Sequence, residues 1–194
     1  MKNFFRKVAY GIGPNEDIPS DPLNWALDQV DEIPDFSWKG KIYSEKELRK
    51  HYRDWVYGDR KVLRKKYKDN KTLYKTHKDI LRHKTGQKFW ESLEISIRHN
   101  EGINSNHPVL AKLWMFWGNF FAISEKDFLA NYSTGAYQRE IIRPNLNQSF
   151  EKMVYDVTTS WAMIHHLDNS ESAGPKSVTA VSYTHLTLPT NHPV

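Results

Sequence analysis

Apolar positions recur at helical spacing along most of the chain, and no alternating strand-type pattern of any length interrupts them. Asp21-Pro22 opens the first clear helix: Asp accepts orphan amide hydrogens at an N-cap, and Pro suits the first helical position. Leu23, Ala26, Leu27 and Val30 follow at helical spacing with Trp25 beside them, and Pro34 ends the run before a loop at Trp38–Lys41. Ser44-x-x-Glu47 is a capping-box pattern. From there Leu48, Tyr52, Trp55, Leu63, Tyr67, Tyr74 and Leu81 form one stripe, and Lys and Arg fill the other faces. Gly58 and Asp69-Asn70 are candidate breaks, so segment 44–88 is predicted as one basic helix or two, closed near Lys84-Thr85-Gly86. Phe89, Trp90, Leu93 and Ile97 continue as an amphipathic helix, and Asn100 to His107, polar and containing Gly102, is predicted to be a loop.

Pro108 begins the most apolar stretch, with Val109, Leu110, Leu113, Trp114, Phe116, Trp117, Phe120 and Phe121. It is apolar nearly all round, which predicts burial. Ser124 is placed as the cap of a next short element. After Arg143-Pro144 one helix is expected from about Gln148 to Asn169, carrying Phe150, Met153, Val154, Val157, Trp161 and Ile164, with Gly174-Pro175 as its break. No internal repeat is present. The expected fold is all-α and multi-helix, with an aromatic-rich core and long loops.

Composition narrows this picture. The 194 residues include 7 Trp, 10 Tyr and 9 Phe, too many aromatics for a disordered chain. With no cysteine there is no disulfide, thiolate zinc site or thiol nucleophile in this sequence. No apolar run approaches a transmembrane span, and no signal peptide is visible at MKNFFRKVAYGIG. The net charge of +5 is uneven: residues 45–88 hold 16 Lys/Arg against 6 Asp/Glu, a net of +10, and the remainder holds 12 against 17, a net of −5. The last stretch, VSYTHLTLPT from Val181 to Thr190, has neither charge nor helical period. It reads as the translation of a transposase-type sequencing adapter. Such an adapter continues with three variable residues, the first from a codon beginning with A, then Val and a stop; Asn191, His192, Pro193 and Val194 fit that order. Residues 181–194 are therefore expected to be a non-native tail, with the native sequence truncated at 178–180, and His185 and His192 enter no site.

Four blocks carry a family resemblance. LAKLWMFWGNFFAIS (Leu110–Ser124) resembles the "K-M-x-L-F-W-x-N-H-F-x-x-S" helix of the domain-of-unknown-function-1800 family of bacterial proteins. QREIIRP (Gln138–Pro144), followed by Phe150 and Met153, is similar to the next family block. WAMIHHLDNSESAGPKS (Trp161–Ser177) resembles its "P-A-M-L-x-Y-L-D-N" and "S-x-G-P-x-S" segments. AYGIGPNE (Ala9–Glu16) with PLNWALDQV (Pro22–Val30) is similar to the usual family start. Together they cover about residues 1–177, in the family's order. Phe120 stands where the family often has His, Trp161 replaces its Pro, and His166 replaces its Tyr. The resemblance implies that residues 1–177 are the N-terminal part of a larger all-α domain, which continues with an acidic "N-E-N-x-A-R-E-L-x-E-L" helix. It also implies an envelope or polysaccharide setting, since family members are often exported. Such a fragment is expected to be inactive and marginally stable, with apolar faces exposed.

Candidate chemistry is sparse. His165-His166-x-Asp168-Asn169 holds the groups of a general base with its orienting partner, and His165, His166 and Asp168 are candidate metal ligands. Adjacent residues on a helix point about 100° apart, however, which sets His165 and His166 toward different surroundings, and Asp168-Asn169 also suits a helix C-terminus. Arg143 is the third catalytic candidate; as a structural residue it would pair with a carboxylate, from Glu140, Asp168 or the acidic helix. Trp114, Trp117, Phe120 and Phe121 could present a sugar-binding surface or fill the core. The basic segment 45–88 could meet an anionic polymer, an anionic membrane or a protein partner, whereas a basic face over an aromatic stripe also describes a solvated helix packed on a core. That arrangement disfavours nucleic acid as the partner. No P-loop, G-x-G-x-x-G, H-E-x-x-H or G-x-S-x-G occurs, Gly11-x-Gly13 lacks a following phosphate-binding helix, and no cofactor is implied. Two function classes follow: a binding or assembly protein using the basic segment and aromatics, or a hydrolase-like enzyme combining the His165–Asn169 region with the acidic helix. Convergence of His166, Asp168 and Arg143 on a cleft would favour the enzyme.

Overall fold

A computed structural model of the protein describes residues 2–12, 17–124 and 130–167. Its helices are α1 (Lys2–Val8), α2 (Pro22–Asp31), α3 (Glu45–Arg53), α4 (Arg60–Lys66), α5 (Lys71–Lys84), α6 (Gln87–Asn104), α7 (Pro108–Phe120), α8 (Ala130–Tyr137), α9 (Phe150–Thr159) and α10 (Trp161–His166). Wide π-type turns occupy Asp54–Asp59 and Gln138–Ile142, and a 3₁₀ turn, Arg143–Asn145, follows the second. The fold is all-α, with no strand among the described residues. Asp168, Gly174-Pro175, the expected truncation point 178–180 and the tail 181–194 lie outside the described residues, as does the segment after Ser124.

Local chemistry starts the helices where the sequence marks them. The Asp21 carboxylate accepts from the backbone N–H of Leu23 and Asn24 at 3.2 and 3.1 Å, with Pro22 at the first position of α2. At α3 both halves of the capping box form: Glu47 N–H donates to Ser44 Oγ, and Ser44 N–H donates to Glu47 Oε2 at 2.9 Å. The Lys41 ammonium, the Ser44 amide and the Ser44 hydroxyl together hold the Glu47 carboxyl down to about 2. Because the folded value is depressed, this cap contributes fully above the ordinary carboxylate range near 4.5 and is lost as the pH falls through about 2. Hydrogen-exchange protection of the Ser44 amide should therefore decline across that window in the wild type and be low throughout in Glu47→Gln. Equal protection at pH 6 and below pH 2 would contradict this.

Five sequence expectations change. Gly58 does not break the basic segment; it sits in the wide turn that joins α3 to α4, whereas Asn70 does break it, its side chain capping α5 through Leu73 N–H at 3.0 Å. Leu48, Trp55 and Leu63 of the stripe are buried, but α5 buries no residue fully. Asn100–Asn104 are helical rather than loop: Glu101 is buried and its carboxylate accepts from the Ser37 amide and hydroxyl at 2.6 and 2.5 Å, tying the last turns of α6 to the 32–43 loop. Helix α7 buries one face, through Val109, Leu110, Ala111, Trp114 and Gly118, and leaves Phe116 and Phe120 exposed. The helix expected from Gln148 to Asn169 is split at Ser160, whose extended backbone ends α9 while its hydroxyl caps α10 through Met163 N–H.

At the centre lies α8, packed against α3, α6 and α10. Its sequence, ANYSTGAY, is weakly amphipathic, with Tyr132 and Tyr137 buried and a glycine where α6 comes closest. A Cβ on Gly135 would fall 2.3 Å from Glu94 Cγ and 2.4 Å from Glu94 Cβ, so only glycine lets α6 pass at this distance. Leu48, Trp55, Trp90, Tyr132 and Ala136 form one apolar cluster across α3, α6 and α8. A second gathers Trp114, Ile123, Tyr137, Ile142, Met153, Val157, Ala162 and Met163, and a third joins Ala9, Ala26 and Val109.

Candidate functional site

The sequence candidates do not assemble into one described group. His165 and His166 close the short helix α10. The His165 ring lies parallel to Trp161, with centroids 5.8 Å apart, and His166 Nδ1 accepts from the backbone N–H of Ser124 at 3.2 Å. The two imidazoles thus serve different surroundings, as adjacent helical positions predict. Asp168 is outside the described residues, and among those described no set of three His, Asp or Glu is placed to hold a metal ion. Arg143 is buried. Its Nη2 donates to the Pro34 carbonyl at 2.6 Å, and its guanidinium lies 4.1 Å from the centre of the Phe36 ring. Burial pushes its pKa down, with Glu101 and Asp35 opposing. Glu140, one of the three partners expected for it, instead accepts from the Glu45 N–H at 2.9 Å and lies 3.7 Å from Arg139.

The buried ion pair belongs to Arg139. Its Nε and Nη2 grip the two oxygens of Glu94 at 2.8 and 2.7 Å, and Nη2 also donates to the Tyr43 carbonyl at 2.6 Å. The side chains are 4% and 7% exposed. The adjoining cavity of about 50 Å³, lined by Glu94, Arg98, Gly135 and Gln138 among others, is well below the roughly 300 Å³ at which small-molecule pockets begin. Arg139 engages both carboxylate oxygens of Glu94, and the pair joins α6, the wide turn after α8 and the 32–43 loop. The sequence did carry a signal for it. Glu94 and Glu101 alternate with Trp90 and Ile97 on the buried stripe of α6, and acids on an apolar stripe require partners.

Two surface features remain. On the aromatic ledge, Phe116, Phe120 and Phe150 are 56%, 62% and 57% exposed, and Trp117 and Phe121 pack between them at centroid distances of 4.9 to 6.5 Å. Trp114, from the same sequence cluster, is core. The basic segment is the other. Its carboxylates are used at the two ends, in Arg49–Glu45, Lys50–Asp54 and Arg82–Asp79. Between them, residues 60–78 hold nine Lys and Arg and a single acid, Asp69.

A family model described as a protein of unknown function, DUF1800, matches residues 13–191. No curated protein and no solved structure gives a match.

Proposed function

We propose, from the premise that this chain belongs to the DUF1800 family of proteins of unknown function, that it is a binding protein whose partner is an anionic polymer held on the basic segment. The observation that carries this reading is the run of nine cations against one acid over residues 60–78. A face that only needed to stay in water would intersperse both signs, whereas a run of one sign is repelled within itself and gains energy when polyanions approach. The envelope and polysaccharide setting implied by the family resemblance fits a polymer of that charge. The position of Arg143, buried between Phe36 and the Pro34 carbonyl, supports a structural rather than a catalytic role for that side chain.

Binding to a sulfated dextran, followed by fluorescence anisotropy, is expected to weaken by about tenfold or more between 50 and 200 mM salt, since polymer counterions are released on contact. The triple variant Lys65→Glu, Lys68→Glu, Lys71→Glu should lose most of this affinity while melting at the wild-type temperature. A salt-independent response, or an unaltered triple variant, would remove the reading.

A further inference from the structure

The wide turn Asp54–Asp59 ends with the Arg60 N–H bonded to the Trp55 carbonyl, five residues back. Trp55 is buried there, so the turn anchors on the core and displays the residues that follow it. Val56, Tyr57, Arg60, Lys61 and Arg64 line an open groove of about 340 Å³, within the range of small-molecule sites. Tyr57 is 70% exposed and forms, with Val56, an apolar wall; the other lining residues are cations, and none of the lining is acidic.

Arg60 and Arg64 stand four residues apart on α4 and so share a face. Tyr74, on α5, lies beside these cations, and Lys78 is 5.9 Å from the centre of its ring. Burial raises the Tyr74 hydroxyl, but the two arginines and Lys78 outweigh it and leave the pKa below the ordinary phenol value. Two guanidinium groups and one ammonium thus line the same groove.

A planar guanidinium offers paired donors to an oxyanion, and two of them with a lysine suit the high charge and several oxygens of phosphate. The groove is larger than a bare phosphate, and its exposed Tyr57 face offers a stacking surface for one ring. Elsewhere on the basic segment the tyrosines are half-buried, with Tyr67 stacked on His77 at 4.5 Å. A single-stranded nucleic acid is held by successive aromatic platforms, which are absent among the described residues of this face. We propose that the groove of Val56, Tyr57, Arg60, Lys61 and Arg64 binds a phosphate ester carried on a sugar ring, as one unit of a phosphorylated glycan. This rests on the anionic-polymer reading and locates its specific contact.

The test uses the full chain and glucose 1-phosphate, with inorganic phosphate, methyl glucoside and a single-stranded oligonucleotide as further probes, followed by NMR titration. Glucose 1-phosphate is expected to bind saturably, with shifts at Tyr57, Arg60 and Arg64, and methyl glucoside is expected not to bind. Arg64→Gln should weaken glucose 1-phosphate at least fivefold, and Lys75→Gln, elsewhere on the segment, less than twofold. Tyr57→Ala, at a side chain too exposed to govern folding, should weaken the sugar phosphate while leaving inorganic phosphate unchanged. Equal loss in Arg64→Gln and Lys75→Gln, no saturable binding of the sugar phosphate, or an oligonucleotide that binds tighter than it in an Arg64-dependent way would each overturn the proposal. Retained sulfated-dextran binding without sugar-phosphate binding would overturn the groove alone; loss of both would overturn the polymer reading as well.

Discussion

Arg139→Met is expected to destabilise the protein by about 3–5 kcal/mol, the cost of leaving a buried charge uncompensated. The substitution keeps much of the side-chain volume, so the loss reports the electrostatics rather than a cavity. Glu94 would retain a carboxylate in a nearly inaccessible site, and the Tyr43 carbonyl would lose its donor. The pair is not expected to be indispensable. In the double variant Glu94→Met, Arg139→Met no buried charge remains, only an unmatched carbonyl, and apolar replacements of whole ion pairs are often neutral or stabilising. The double variant should therefore lie within about 2 kcal/mol of the wild type, the Tyr43 carbonyl accounting for most of the difference. Urea denaturation followed by circular dichroism measures all three chains. A double variant less stable than Arg139→Met would show that the pair supports the fold by its own attraction.

Trp114→Ala is expected to cost a similar amount, about 3–5 kcal/mol, for a different reason. Trp114 is buried in the largest apolar cluster, with Phe36 edge-on at 5.8 Å. Its Nε1–H donates to the Gln138 carbonyl at 2.8 Å, the same oxygen that receives the Arg143 N–H across the wide turn. Truncation would open a cavity and release the wide turn that places Arg139 and Arg143. Trp114→Phe fills most of the space and removes only the donor, so it should cost about 1–1.5 kcal/mol. If the Phe and Ala variants melted together in the same denaturation series, the indole bond rather than its volume would be the controlling contact.

The helix starts were legible because capping is local. Asp21, Ser44 and Asn70 each satisfy amide hydrogens two or three residues away, and no distant residue can alter that requirement. The basic character of residues 44–88 was equally legible, being a property of composition. The break at Ser160 was missed because Val157, Trp161 and Ile164 continue the helical period across it, so periodicity alone could not detect a cap inside an apolar stripe. Helix α8 carried almost no signal. Its buried residues Tyr132, Ser133, Ala136 and Tyr137 mix polar with apolar, which leaves little amphipathic pattern. The candidate site at His165–Asn169 rests on residue types; of its members the structure describes the two histidines, one stacked on Trp161 and one bonded to the Ser124 amide, while Arg143 bonds the 32–43 loop.

The amino-acid sequence by itself determined that this protein is all-α, where its capped helices begin, and where its positive charge accumulates. These follow from periodicity, hydrogen-bonding capacity and charge, which act over one or two turns. Only the tertiary structure decided that Glu94 and Arg139 meet and that Gly135 permits it. Those contacts join residues 45 and 41 positions apart, and their geometry depends on how closely α6 and α8 pack, which no local pattern encodes.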